Sequence, residues 1–393
     1  MANRYWVGGA GTWDTTTTTH WSTSSGGSGG ASVPTAADSV FFDQAGTYTV
    51  TTTGALTCLD FTVSAGVVTF ATGTTPTFAI SGSMSLVAAT VWNSTGAITF
   101  NATTTGKTIT TNNVSIGTGG ASVTFNGVGG AWTLGSAFRV STTSTLFITA
   151  GTLDTSVNNY TIQNTSSGSL TVNGGTLTCN GSTIATGTLN LSSGIINANT
   201  ATFSLVGASP LSFTGGTFNA GTSQINVSNT GATTFAGNGA TFYNVSFTAG
   251  GVASPTITGA NTFNNLTFAA STANQVVTRT FSANQTINGT LTFSASSNAT
   301  QRHFAISDTV GTTRTLTCAA VSFTDVDFQD ITIAGAAAPA TGTRLGNAAG
   351  NSGITFTAPK TVYWNLAGAQ NWIATGWATS SGGTPAVNNY PLP

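Results

Sequence analysis

Over most of the chain an apolar residue alternates with Thr, Ser or Asn for four to six positions at a time, as in Leu170-Thr171-Val172 and Ile225-Asn226-Val227. A period of two is the pattern of a strand with one face buried and the other wet. Gly, Asn and Ala-Gly pairs interrupt the runs and supply the positive φ values that tight turns need. The pattern predicts many short strands joined by sharp corners.

The strands recur with related local sequence. Gly-Thr-Leu, or Gly-Gly-Thr followed by Leu or Phe, occurs at Gly151-Thr152-Leu153, Gly174-Gly175-Thr176-Leu177, Gly187-Thr188-Leu189 and Gly215-Gly216-Thr217-Phe218. Phe242-Tyr243-Asn244-Val245-Ser246-Phe247 is echoed 21 residues later (263 − 242) by Phe263-Asn264-Asn265-Leu266-Thr267-Phe268. Leu266, Leu291 and Leu316 follow at steps of 25, and Leu153 and Leu177 lie 24 apart. Strand, turn, strand and turn repeated every 20 to 25 residues make one rung of a solenoid. A sandwich would not repeat one local sequence at a fixed period, and a propeller blade needs roughly 40 residues or more. The expected fold is therefore all-β, a parallel β-helix, taken as right-handed from the general handedness of parallel crossovers. Leu, Ile, Val and Phe would stack inside it, with Thr and Asn in outward ladders. About 300 residues at about 23 per rung, each advancing about 4.8 Å, predict a rod roughly 60 Å long.

Solenoid ends carry unpaired strand edges that need capping, and six of the eight tryptophans lie at the two ends: Trp6, Trp13 and Trp21, then Trp364, Trp372 and Trp377. The two ends are related. Tyr5-Trp6 followed by Trp21-Ser22-Thr23-Ser24-Ser25-Gly26-Gly27 parallels Tyr363-Trp364 followed by Trp377-Ala378-Thr379-Ser380-Ser381-Gly382-Gly383. The expected organisation is a Trp/Gly-rich capping or attachment module at 1–48, a solenoid at 49–357 and a second Trp-rich module at 358–393. The first copy runs on into Ser39-Val40-Phe41-Phe42, whereas the second reaches Pro391-Leu392-Pro393 where that strand would begin. Completion by a neighbouring subunit, or a plug between subunits, is the expectation.

Composition supports a folded chain. Hydrophobic residues make up 39% and the net charge is −1, unlike a disordered segment of low hydrophobicity and high charge. Thr, Ser, Asn, Val and Gly dominate at the expense of good helix formers. Charged residues are only 4% of the chain, against about 25% on average. Hydroxyls and amides must hydrate the surface instead. Eight scattered basic residues cannot neutralise a run of phosphates, so neither nucleic acid nor an anionic membrane is an expected partner. No apolar stretch is long enough to span a bilayer as a helix, and the regular repeat disfavours a transmembrane barrel. The opening Met-Ala-Asn-Arg-Tyr-Trp has neither a basic n-region nor an apolar h-region. An extracellular-looking composition without an export signal suits a virion component released by lysis.

The opening Tyr5-Trp6-Val7-Gly8-Gly9-Ala10-Gly11-Thr12-Trp13-Asp14, with Trp21-Ser22 and the Ser-Gly-Gly run before Pro34, resembles the N-terminal module of bacteriophage virion structural proteins. Val321-Ser322-Phe323-Thr324-Asp325-Val326-Asp327-Phe328 and Gly350-Asn351-Ser352-Gly353-Ile354-Thr355-Phe356 look like the terminal rungs of the same group. The resemblance covers the ends and touches the middle only in style. It implies a β-helical tail fibre, appendage or decoration protein, often oligomeric, and transfers no catalytic residue.

Candidate chemistry is sparse. The chain has nine Asp and no Glu, and its one acidic cluster is Asp325, Asp327 and Asp330. Paired carboxylates cleave polysaccharides in some tailspikes, and alternation would put Asp325 and Asp327 on one strand face. A solvated strand face or weak cation site is the plainer reading. The terminal Trp6, Trp13, Trp21, Trp364, Trp372 and Trp377 could stack sugars, although capping explains them with fewer assumptions. His20 and His303 have no companion at metal spacing. Cys58, Cys179 and Cys318 each follow Leu-Thr, more than a hundred residues apart, and read as small buried hydrophobes rather than disulfide or metal ligands. No catalytic residue, metal or cofactor is expected. The leading functional expectation is a rigid structural virion protein. It would self-associate, most plausibly as a trimer, join other virion proteins and touch host surface glycans. A bacterial surface adhesin and a polysaccharide depolymerase are the alternatives.

Overall fold

A computed structural model describes residues 2–249, 254–270, 272, 277–296, 301–356, 361–367, 371 and 375–386. The chain is a parallel β-solenoid of about 13 turns, and its described residues are all β apart from one short 3-10 turn at Thr118–Gly120. It divides into two units, 1–354 and 355–393. No helix among the described residues is long and apolar enough to cross a membrane.

In the first unit most strands pair in parallel with the strand one rung later, so their residues recur at the same place on successive turns. One interior column runs Leu56, Phe78, Ile98, Val123, Leu146, Leu170, Leu189, Leu211. All of these are buried. The repeat found in the sequence is the physical register: Phe242 lies on Phe263, Val245 on Leu266 and Phe247 on Phe268. Because rungs stack at about 4.8 Å, successive interior rings stack too. Phe247 and Phe268 are 5.1 Å apart at 10°, and Phe268 and Phe293 4.9 Å apart at 13°. Outward positions form the expected ladders, for example Asn226, Ser246, Thr267, Thr292 and Ser322. Asn265 donates to Asn244 Oδ1 at 2.9 Å, one rung below. Corners take the left-handed conformation, at Asn180 (φ 50°) and Asn199 (φ 49°) among others, as asparagine tolerates.

Two details differ from the simplest sequence reading. Leu266 does lie on Leu291, but the next residue in that column is Val321, 30 positions on (321 − 291). Leu316 instead lies on Gln285. Gly187-Thr188-Leu189 also belongs to a different column from the other Gly-Thr-Leu copies: Thr188 and Leu189 lie on Ser169 and Leu170, whereas Thr152, Thr176, Ile195 and Thr217 share one line.

The N-terminal residues form the first turn rather than a separate body. Strand β1 (Asn3–Trp6) pairs with β3 (Trp21–Ser22) antiparallel and with β4 (Ser39–Phe42) in parallel, while β2 (Gly11–Trp13) joins Thr47–Thr52. The β1/β3 hairpin thus covers the leading edge of the parallel sheet. The three cysteines are free and buried, as the Leu-Thr-Cys pattern indicated.

Candidate functional site

The acidic cluster lies at the C-terminal end of the first unit, built around a strand of four residues. Arg314–Phe323 leads into Asp325, Val326–Gln329 follows, and Asp330 turns the chain into Ile331–Ala334. Asp325 and Asp330 are both left-handed corners, with φ 57° and 55°, a conformation that Asp accepts better than most residues. Asp325 therefore lies outside the strand that carries Asp327. Alternation breaks at the corner, and the two carboxylates do not share a strand face as the sequence suggested.

Each carboxylate is met from a neighbouring rung. Arg302, on the rung before, grips Asp327 with a fork: Nε donates to Oδ2 at 2.7 Å and Nη2 to Oδ1 at 2.8 Å. Arg344, on the rung after, forks onto Asp325, with Nε to Oδ1 at 2.5 Å and Nη2 to Oδ2 at 2.8 Å. Arg302 Nη1 lies 3.6 Å from Asp325, and its Nη2 also donates to the Arg344 carbonyl at 2.6 Å. Two acids and two guanidiniums make a neutral staple across three turns. The Asp325 side chain is 0% exposed, and burying it without these partners would be costly. The same contact pushes the Arg344 guanidinium above its ordinary value. Asp330 Oδ2 accepts from the Gly311 amide at 2.9 Å. Glycine lets the next turn pass close by: a Cβ on Gly346 would collide with the Asp327 carboxylate, and one on Gly350 with that of Asp330.

Bidentate charge-assisted bonds occupy the oxygens that an acid, base or nucleophile would need. The forks tie the last turns of the first unit to one another. No group of three or more His, Cys or Asp among the described residues is placed to hold a metal ion. Arg302 and Arg344 are the partners the sequence reading missed. The available signal was opposite charge one rung apart: 25 residues from Arg302 to Asp327 and 19 from Asp325 to Arg344.

Trp6, Trp13 and Trp21 are interior. Trp6 packs on the His20 ring (4.7 Å, 9°), edge-on to Trp21 (5.2 Å, 84°) and against Phe42 (5.7 Å). Its Nε1 donates to the Gly9 carbonyl at 2.7 Å. With all three buried, none presents a face on which a sugar could stack. At the other end Trp377 is buried and Trp364 is 36% exposed, while Trp372 lies outside the described residues.

His20 is a packing residue whose Nδ1 lies 2.8 Å from the Val7 carbonyl. His303 is fully buried, with Nε2 3.0 Å from the Ser294 carbonyl and its ring against Phe293. Burial pushes its pKa down to about 4, with nearby Arg279 adding to the effect, against a smaller upward pull from the Ser294 hydrogen bond and Asp325. Arg279, with its guanidinium carbon 5.5 Å from the Phe268 ring centroid, is pushed down to about 10 by burial. Burial also raises all three cysteine thiols, Cys318 to about 12.

Outside the charged staple, the flank carries a shallow neutral groove lined by Gln224, Asn244, Ser246, Asn265, Thr267 and Thr292. Its Gln224 Nε2 donates to Asn226 Oδ1 and to Ser246 Oγ, at 3.0 and 3.2 Å. Compared with protein-family models, with curated proteins and with solved structures, the chain finds no match.

Proposed function

We propose that this chain is a non-enzymatic structural component of a bacteriophage particle, a fibre, appendage or decoration protein serving as a stiff spacer outside the cell. The observation that carries this reading is the continuity of the solenoid. Parallel pairing passes from rung to rung between Ser39–Phe42 and Ile331–Ala334, so bending the rod means stretching many backbone hydrogen bonds together. Its outward ladders are hydroxyls and amides, which hydrate the surface without a field that salt can screen. The charged residues best suited to chemistry are committed to each other in arginine forks. A spacer of this kind serves a particle by assembling with copies of itself, as a trimer, and with other virion proteins. The neutral polar flank suits weak contact with surface glycans.

The test is immunogold electron microscopy on purified particles, using antibodies raised against the solenoid. Gold on projecting appendages or on the capsid exterior is the expected result. Gold confined to bacterial envelopes would transfer the rod to a cell-surface adhesin.

A further inference from the structure

The two tryptophan hairpins are one structural module, and the two copies differ in what covers them. Tyr363–Trp364 pairs antiparallel with Trp377–Ala378, Tyr363 opposite Ala378 and Trp364 opposite Trp377. Tyr5 opposite Ser22 and Trp6 opposite Trp21 is the same register. The correspondence extends through the backbone. Val7 N donates to His20 O at 2.9 Å, and Asn365 N to Gly376 O at 2.8 Å. Gly27 N donates to Ser24 O at 3.1 Å, and Gly383 N to Ser380 O at 3.0 Å, after left-handed Gly26 and Gly382. Ala31 N and Ala386 N reach Trp21 O and Trp377 O respectively, at 2.9 and 3.1 Å. The indole pairs are both edge-on, 5.2 Å and 84° against 5.1 Å and 72°.

In the N-terminal copy the outer edge of β1 takes β4 in parallel, Asn3 on Ser39 and Tyr5 on Phe41. Both faces of that added strand match the hairpin. Phe41 stacks on Tyr5 at 5.0 Å and 20°, and Phe42 packs on Trp6 and Trp21 at 5.7 and 6.1 Å. In the C-terminal copy, among the described residues, Tyr363–Trp364 pairs with no strand other than Trp377–Ala378. Tyr363, Trp364 and Leu366 are 42%, 36% and 40% exposed. A strand edge that no other described strand pairs with, flanked by exposed aromatics, is a surface for strand addition.

We propose that the C-terminal hairpin is an acceptor for a parallel β-strand of β4 chemistry, an apolar-alternating segment bearing adjacent phenylalanines, supplied as the leading edge of another solenoid-type protein. The N-terminal copy defines the occupant, because it displays the same hairpin with its strand in place. A second copy of this chain is the poorer donor, since its own β4 is held by its own β1 and, through Val40 and Phe61, by the next rung.

The experiment uses the full chain and a synthetic peptide of residues 35–46, followed by tryptophan fluorescence and by hydrogen exchange at Tyr363 and Trp364. Saturable binding is expected, with a blue shift and slowed exchange at those two amides. A Trp364→Ser variant should weaken it by roughly thirtyfold, the size of effect seen on truncating a central tryptophan. A Phe42→Ser peptide should weaken it similarly on the unaltered chain, a control independent of how the variant folds. No binding, in a chain whose Asn365 amide is protected from exchange by its bond to the Gly376 carbonyl, would overturn the proposal. Concentration-dependent self-association abolished by Trp364→Ser would overturn the choice of a different partner in favour of a second copy.

Discussion

Lowering the pH from 7 towards 4 should loosen the C-terminal turns through one residue, His303. An unfolded histidine titrates near 6.5, whereas in the solenoid burial holds His303 neutral down to about 4. Between those values the unfolded chain binds a proton that the folded chain refuses, so stability is intact above pH 6.5 and falls as the pH drops towards 4. At about 1.4 kcal/mol per pH unit, the gap amounts to about 3 kcal/mol. Asp14 and Asp38 respond only at lower pH. Burial pushes both up, but hydrogen bonds from Thr16 and Thr17, and from Thr35 and Ala2, together hold them below the usual carboxylate value of 3.8. The assay is a histidine NMR titration, in which the chain offers only His20 and His303. Native-state hydrogen exchange on His303–Ser307 is recorded in parallel, because a repeat array need not open all at once. A His303→Gln variant keeps a donor for the Ser294 carbonyl and should lose the step between pH 6.5 and 4. A His303 midpoint near 6.5, or exchange in that strand unchanged between pH 7 and 4.5, would refute the reasoning.

Other consequences are as direct. Leu170→Ala, in the interior column between Leu146 and Leu189, should cost about 2–5 kcal/mol, read by denaturant melts. Asp325→Asn should destabilise the last turns by roughly 1–3 kcal/mol, because it leaves two arginines facing a neutral amide, whereas Asp327→Asn, at a part-exposed site, should cost less than about 1 kcal/mol. The unaltered chain should release no oligosaccharide from host capsule, and release abolished by both substitutions would establish a depolymerase. Thiol reagents should leave Cys58, Cys179 and Cys318 unmodified in the native chain and label all three in denaturant, since their buried thiols resist ionisation.

The solenoid was legible because its signal is redundant. Alternation gave the strands, and the 21-residue echo at Phe242 and Phe263 gave a register found in the structure. A fixed step failed where a corner is long. Phe281 and Gln285 are four residues apart, whereas their partners one rung on, Ser307 and Leu316, are nine apart, so the column continues to Val321 and the spacing of Leu316 is a coincidence. The staple was half legible. Sequence marked its acids, but alternation misplaced Asp325, because a left-handed corner interrupts the pleat. Its cations were passed over because charges one rung apart are neighbours only once the rung length is known. For the tryptophans, composition announced two modules, and only packing separates buried Trp6, Trp13 and Trp21 from part-exposed Trp364.

The most direct test of the structural reading is quantitative mass spectrometry of intact purified particles, following the tryptic peptide that spans residues 280–302. The account predicts this peptide in the particle fraction at a copy number that is a multiple of a particle symmetry. Its absence from particles, with recovery only in bacterial envelope fractions, would contradict the virion assignment.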